Sequence, residues 1–181
     1  MKDTKLIMIS GCQGSGKTTL VDQLEKCLPN TGRTKFAKAI YEMHDAVLTI
    51  MRSYGFNITL DKRLLQLLGT EWGRNHVNND VWLMCLTSAV EKLKAEGKEY
   101  ILVDDLRFKN EFSGFECIKI RLECSEEIRK NRCSQWRNLT THPSEIDLDD
   151  WVNKFDLVID TGVVTETETL DQAVNFIASL Q

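Results

Sequence analysis

The stretch "ISGCQGSGKTTL", Ile9–Leu20, decides how the rest of the chain is read. It fits G-x-x-x-x-G-K-[ST], with Gly11, Gly16, Lys17 and Thr18 at the fixed places. Glycines let the backbone curl until successive N–H groups point at one anion, and the helix that follows adds its positive end. In such a loop Lys17 reaches the β- and γ-phosphates and Thr18 offers its hydroxyl to Mg²⁺. The flanks agree. "KLIMIS" before the loop is an apolar run suited to a buried parallel strand. "KTTLVDQLEKCL" after it sets Leu20, Val21, Leu24 and Leu28 on one helical face. Strand, glycine loop and helix in that order predict a nucleotide-phosphate site.

Outward from this loop, strand and helix signals alternate. "TKFAKA" is read as a short second strand, "EYILVDDL" as a third, "ECIKIRLEC" as a fourth and "KFDLVID" as the last. "AIYEMHDAVLTIMRSYG" carries Ile40, Met43, Val47, Ile50 and Met51 in helical register. The segment from Thr59 to Gly97 reads as helical, broken near Gly69–Gly73 and again at "NHVNND". Ser125 opens a polar helix, and "TETLDQAVNFIASLQ" closes the chain as an amphipathic one. Strands separated by helices predict an α/β fold of the P-loop NTPase type, a central parallel sheet with helices on both faces. The ligand then lies along the carboxyl edge of the strands. The expected division is a core of about 1–37, 97–127 and 150–181, a helical insertion of about 38–96 and a lid of about 128–149.

The remaining composition narrows the setting. A net charge of −4 gives no general attraction to nucleic acid or anionic membrane, so neither is expected as a partner. No apolar run approaches a membrane span, residues 1–10 lack a signal-peptide pattern, and a cytoplasmic setting is expected. Six cysteines without a C-x-x-C pair read as reduced core thiols. Cys124, Cys133 and His142 match no zinc spacing, which excludes a metal site built of side chains alone.

Chemistry is carried beyond the loop by carboxylates and arginines. Asp104 and Asp105 end an apolar strand, where a carboxylate would hold Mg²⁺; spacing alone does not separate the two. Arg107, Asn110 and Glu111 follow directly, and an arginine there has the fork to clamp a phosphate. Arg129, Arg132 and Arg137 lie on or after a helix leaving the sheet, either as a solvated face or as lid arginines closing over a transferring phosphoryl. His142, Ser144 and Glu145 form no hydrolytic line and read as substrate-contacting or lid-hinge residues. No general base stands out. A phosphate acceptor needs none, being largely dianionic at neutral pH with a second pKa of about 6, so the excess of arginines over bases favours it.

With "RLLQLLGTEWGR", "DDLRFKNEF" and "HPSEIDL" added to the loop, the chain resembles the bacteriophage-type deoxynucleoside monophosphate kinases, relatives of the adenylate and thymidylate kinases. The matches are Gln66, Gly69, Thr70, Glu71, Gly73 and Arg74, then Asp80 and Trp82. Asp105, Arg107, Phe108, Asn110 and Glu111 follow, and finally His142, Ser144 and Glu145. "DLVIDTG" departs from the family, which has an asparagine near Asp160–Thr161. The resemblance implies ATP and Mg²⁺ as cofactors. Gly11, Gly14, Ser15, Gly16, Lys17, Thr18 and Thr19 would take the donor, with Thr18, Asp104 and Asp105 at the metal. Lys38, Gln66, Thr70, Arg74, Trp82, Arg107, Glu111, Arg137, His142, Ser144 and Glu145 would serve the acceptor, the 38–96 insertion being the acceptor-binding part. Lys17, Asp105, Arg107, Arg129 and Arg132 would act in the transfer itself. The middle leucines, Leu64, Leu65, Leu67 and Leu68, with Trp72, read mostly as core.

The expected reaction is transfer of the γ-phosphoryl of ATP to a dNMP, a small-molecule substrate. A P-loop kinase acting on a hydroxyl and a non-catalytic nucleotide-binding module are the alternatives. Base preference and oligomeric state, a homodimer included, stay open.

Overall fold

β1 (Lys5–Gly11) is the central strand, and its unbroken apolar run explains why: Ile7, Met8 and Ile9 are fully buried. In the computed structural model, which describes residues 4–134, 136 and 143–180, β1 pairs in parallel with β3 (Tyr100–Leu106) and β4 (Ile118–Glu123). Ile7 stands opposite Leu102 on one side and Ile118 on the other. β5 (Leu157–Asp160) extends the sheet beyond β4, and β2 (Thr31–Thr34) forms the other edge, giving the order β2-β3-β1-β4-β5. The chain runs from β1 out to β2 on one side and from β3 across β1 to β4 on the other, and ligands of such sheets bind outside the strand carboxyl ends where the order reverses. The glycine loop leaves β1 at that point. This is the parallel α/β fold expected from the sequence.

α1 (Lys17–Cys27) and α8 (Glu166–Ser179) bury Leu20, Val21, Leu24, Ala173 and Ile177 in one core with β1, β3, β4 and β5. Local chemistry sets where the helices begin. The Thr165 hydroxyl accepts the Glu168 N–H while Glu168 accepts the Thr165 N–H, a reciprocal cap on α8. Ser125 caps α6 (Glu126–Arg132) as expected, accepting the Ile128 N–H.

Residues Thr34–Lys92 form a compact unit of their own, and the described residues before and after it form the other. The smaller unit contains α2 (Lys38–Ser53), α3 (Lys62–Gln66) and most of α4 (Val81–Ala95). Gly55 follows α2 with φ +88°, the left-handed residue expected at a helix end. Asp61 caps α3, and its own N–H is donated to Nε2 of the buried His44.

Four expectations are corrected. The second strand is Thr31–Thr34, overlapping "TKFAKA" only at Thr34, where the carboxylates of Asp22, Glu25 and Asp104 hold Arg33 in extended chain. The glycines of the middle block do not break the helix; Leu67–Val77 is a π-helix running on from α3. Trp82, 3% exposed, donates its indole N–H to the Gly69 carbonyl, and a Cβ on Gly73 would run into its ring. The wider turn lets that indole seat on the backbone. Leu67 and Trp72 are exposed rather than core, at 44% and 43%. The six cysteines are free as expected, but five are half-buried and Cys27 is exposed, so none is a core thiol.

Candidate active site

The phosphate loop is shaped by its own glycines. At Gly11, φ is +144° and a Cβ would lie 2.5 Å from the Leu122 carbonyl oxygen and 2.6 Å from Ser15 Oγ, so only glycine fits. Lys17, the first residue of α1, folds inward and donates to the carbonyls of Gly11 (2.6 Å) and Cys12 (2.8 Å). Burial pushes its pKa down to about 7, the Arg107 charge pushes the same way, and Glu145 opposes both. Ser15 is buried, and its hydroxyl has no hydrogen-bond partner among the described residues. An ammonium resting on its own loop carbonyls beside an unsatisfied hydroxyl fits a site made for phosphate oxygens.

A cleft of about 450 Å³ opens beside the loop, a volume ordinary for a small-molecule site. Gly14 to Leu20 line one side; Gln23, Arg132, Thr161, Val164, Glu166 and Thr169 line the rest. Arg132 is held by two bonds to Thr161, from Nη1 to the hydroxyl (3.1 Å) and from Nη2 to the carbonyl (2.7 Å). The Thr161 hydroxyl in turn donates to the Ser15 carbonyl at 3.0 Å. Thr161 therefore ties the loop to the end of β5. Arg129 donates to the carbonyls of Cys124 and Gln13, which pins the loop from behind.

On the other side of the loop the protein's own charges meet. Arg107 Nη1 bonds Glu145 Oε1 at 2.5 Å and the Ser144 carbonyl at 3.1 Å. The second carboxylate oxygen of Glu145 accepts the Gln13 N–H at 2.7 Å. Asp104, 4% exposed, pairs with Arg33 at 2.5 Å, and Arg33 also reaches Asp22 on α1 at 2.6 Å. Asp105, next in the strand, is half-buried. Glu111 is 2% exposed and accepts the N–H groups of Arg107 and Phe108, so it caps α5 (Lys109–Ser113) and holds the turn that carries Arg107. Glu111 thus serves the fold, as Trp82 does within the smaller unit.

The remaining expected residues are placed as follows. Thr18 and Thr19 are exposed on the first turn of α1 and line the cleft. In the smaller unit, Lys38 is exposed and pairs with Glu42, Gln66 ends α3 and is exposed, and Thr70 and Arg74 lie four apart on the π-helix. Arg137 and His142 lie outside the described residues. Sequence reading missed Arg33 and Arg121, and marked Thr161 only as part of a departure from the family pattern after the last strand. Arg121 is buried in β4, bonded to Glu123 and Asp149, with the Ser10 hydroxyl at 3.3 Å. The one available signal was position: Thr161 follows the last strand at the edge where the loop lies.

This geometry, a glycine loop at the switch point of a five-stranded sheet with a lysine turned into it, is that of a P-loop kinase fold. Residues 7–145 match the AAA-domain family, and the chain belongs to that family. A phosphomevalonate kinase of Drosophila melanogaster is 25% identical over 92% of this chain and 93% of its own. Among solved structures, thymidylate kinase from Candida albicans superposes with a TM-score of 0.58 at 15% identity, covering 97% of this chain and 92% of its own. Shikimate kinase from Acinetobacter baumannii does so at 0.53 and 15%, covering 99% and 96%. At these identities the structural likeness speaks to the fold. No helix among the described residues is long and apolar enough to cross a membrane.

Proposed function

We propose that the protein is an ATP- and Mg²⁺-dependent kinase that phosphorylates a deoxynucleoside monophosphate, yielding a dNDP and ADP. The observation that carries this reading is the pair of cations at the loop. Arg107 lies close enough to Lys17 to depress its pKa, and the carboxylates of Glu145 and Asp104 oppose it. Two crowded cations are best satisfied by polyanions, and a transfer between two phosphates brings charge to both. Phosphomevalonate kinase and thymidylate kinase are named for acceptors that already bear phosphate, which supports the reading. The likeness of the Gly69–Arg74 block to the bacteriophage-type deoxynucleoside monophosphate kinases supports a dNMP in particular.

Bound MgATP would supply the phosphoryl group and the metal charge that offsets it. The loop N–H groups, Ser15 and Lys17 would hold the donor phosphates, with Thr18, Asp104 and Asp105 supplying the hard oxygen donors a magnesium ion prefers. Arg132 would cover the donor in the cleft, and Arg129 keeps the loop in shape. Arg107 would neutralise the acceptor phosphate, and Lys38, Gln66, Thr70 and Arg74 would bind the rest of the acceptor. No base is required, because the attacking oxygen already carries charge.

The named acceptor of shikimate kinase favours the hydroxyl-kinase alternative. Chromatography of products decides: dNMPs should give dNDPs, while nucleosides and DNA 5′-hydroxyl ends should remain unchanged. Phosphorylation of a hydroxyl with no dNDP formed would overturn the reading.

A further inference from the structure

Glu145 is 8% exposed, and both its carboxylate oxygens are taken by groups of the phosphate site: Oε1 by Arg107, Oε2 by the Gln13 N–H of the glycine loop. The segment around it is fastened to the same places. Arg107 also bonds the Ser144 carbonyl, Cys12 Sγ lies 3.6 Å from the Glu145 carbonyl, and Asp147 accepts the Lys109 N–H at 2.8 Å. A loop N–H plus a guanidinium is the donor set a phosphate oxygen would use. We infer that Glu145 is an internal stand-in for a phosphoryl group, a carboxylate that occupies the Gln13 N–H and Arg107 until a phosphate chain displaces it, and so sets the affinity for that chain.

The inference rests on the P-loop phosphate site of the proposed function but not on the acceptor's identity. Charge decides the exchange. A carboxylate brings one negative charge and two oxygens; a phosphate group brings about 1.5 to 2 charges and three oxygens. Lys17 and Arg107 bring two positive charges to Glu145, with Asp104 adding a smaller negative influence at Lys17, so the denser anion wins when it arrives. Displacement frees Ser144 and Glu145, whose short helix α7 (Pro143–Ile146) lies within the expected lid of about 128–149. Phosphate binding and release of that segment are therefore one event. A group that merely braced Arg107 would behave oppositely: its loss would weaken phosphate binding.

Inorganic tripolyphosphate is the probe, because it needs neither base nor acceptor. Calorimetric titration into the wild type, Glu145→Gln and Glu145→Ala should show tighter binding by both variants, about tenfold if the contact is closed in roughly nine molecules of ten. Equal or weaker binding by the variants overturns the inference. Should the variants fail to fold, hydrogen exchange on the wild type replaces them: saturating tripolyphosphate should speed exchange at 143–147, and unchanged or slower exchange contradicts it. Binding by neither wild type nor variants contradicts both this inference and the phosphate site. Tripolyphosphate binding without dNMP turnover would sink the proposed acceptor and leave the stand-in tested on its own.

Discussion

The two sides of the glycine loop are built differently. On the cleft side, Gly14 to Thr19 face open space, and Arg132, which lines the same cleft, is held by Thr161. On the other side Arg107, Glu145 and the Gln13 N–H satisfy one another. A site with preformed space binds without rearrangement, whereas one filled by its own ion pair must trade one set of contacts for another. The lesson is that a single loop presents a ready half and a guarded half, and Lys17 sits between them.

Removing Lys17 should break both halves at once. Lys17→Met is expected to lower turnover by about 10³-fold or more while leaving the melting temperature nearly unchanged, as checked by steady-state kinetics beside a thermal melt. Turnover within a few-fold of wild type would mean that the inward ammonium is only a structural tie.

The lowered pKa of Lys17 makes the comparison sensitive to pH. Free, the ammonium loses its proton near pH 7; beside a phosphate it would keep it, since a nearby anion favours the charged form. The bound state then holds more protons than the free state above pH 7. ATP affinity should weaken as pH rises, approaching tenfold per unit between 8 and 9, and stay flat in this respect below 7. Titration in buffers of different ionisation enthalpy should detect proton uptake at pH 8; no uptake would remove Lys17 from contact with phosphate.

Arg132 sharpens the cleft side alone. Arg132→Ala should raise the KM for ATP by about tenfold, the order of one lost charge-assisted contact, with the acceptor KM little changed. An acceptor effect of equal size would assign Arg132 to the guarded half. Smallest is the support beneath the cleft: Thr165→Ala should cost about 1 kcal/mol of stability through the lost cap of α8, read by urea unfolding, with kinetics unaltered.

The ready half was legible in the sequence and the guarded half was not. Glycine spacing, an apolar strand and an amphipathic helix are local, so Gly11 to Thr18 could be read from neighbours in the chain. β3, β4, β5 and α8 were legible for the same reason. β2 was misplaced because "TGRT" has no apolar alternation; Arg33 holds it through Asp22 and Asp104, partners remote in sequence. The π-helix at Leu67–Val77 depends on an indole packing against Gly73, which periodicity does not record. Glu145 and Arg107 were both singled out, but that they meet each other on the loop is a tertiary fact. Glu111 matched a motif for a reason internal to the fold: it holds the turn under Arg107.

The most direct test is a coupled ADP-release assay with ATP and Mg²⁺ against all four dNMPs, dUMP and the matching ribonucleotides, run for wild type and Arg107→Ala. Release of ADP only when a dNMP is present, with Arg107→Ala slowed by about 10²-fold or more, is the predicted result. ADP release that is the same with and without every nucleotide would contradict a phosphate acceptor held by Arg107.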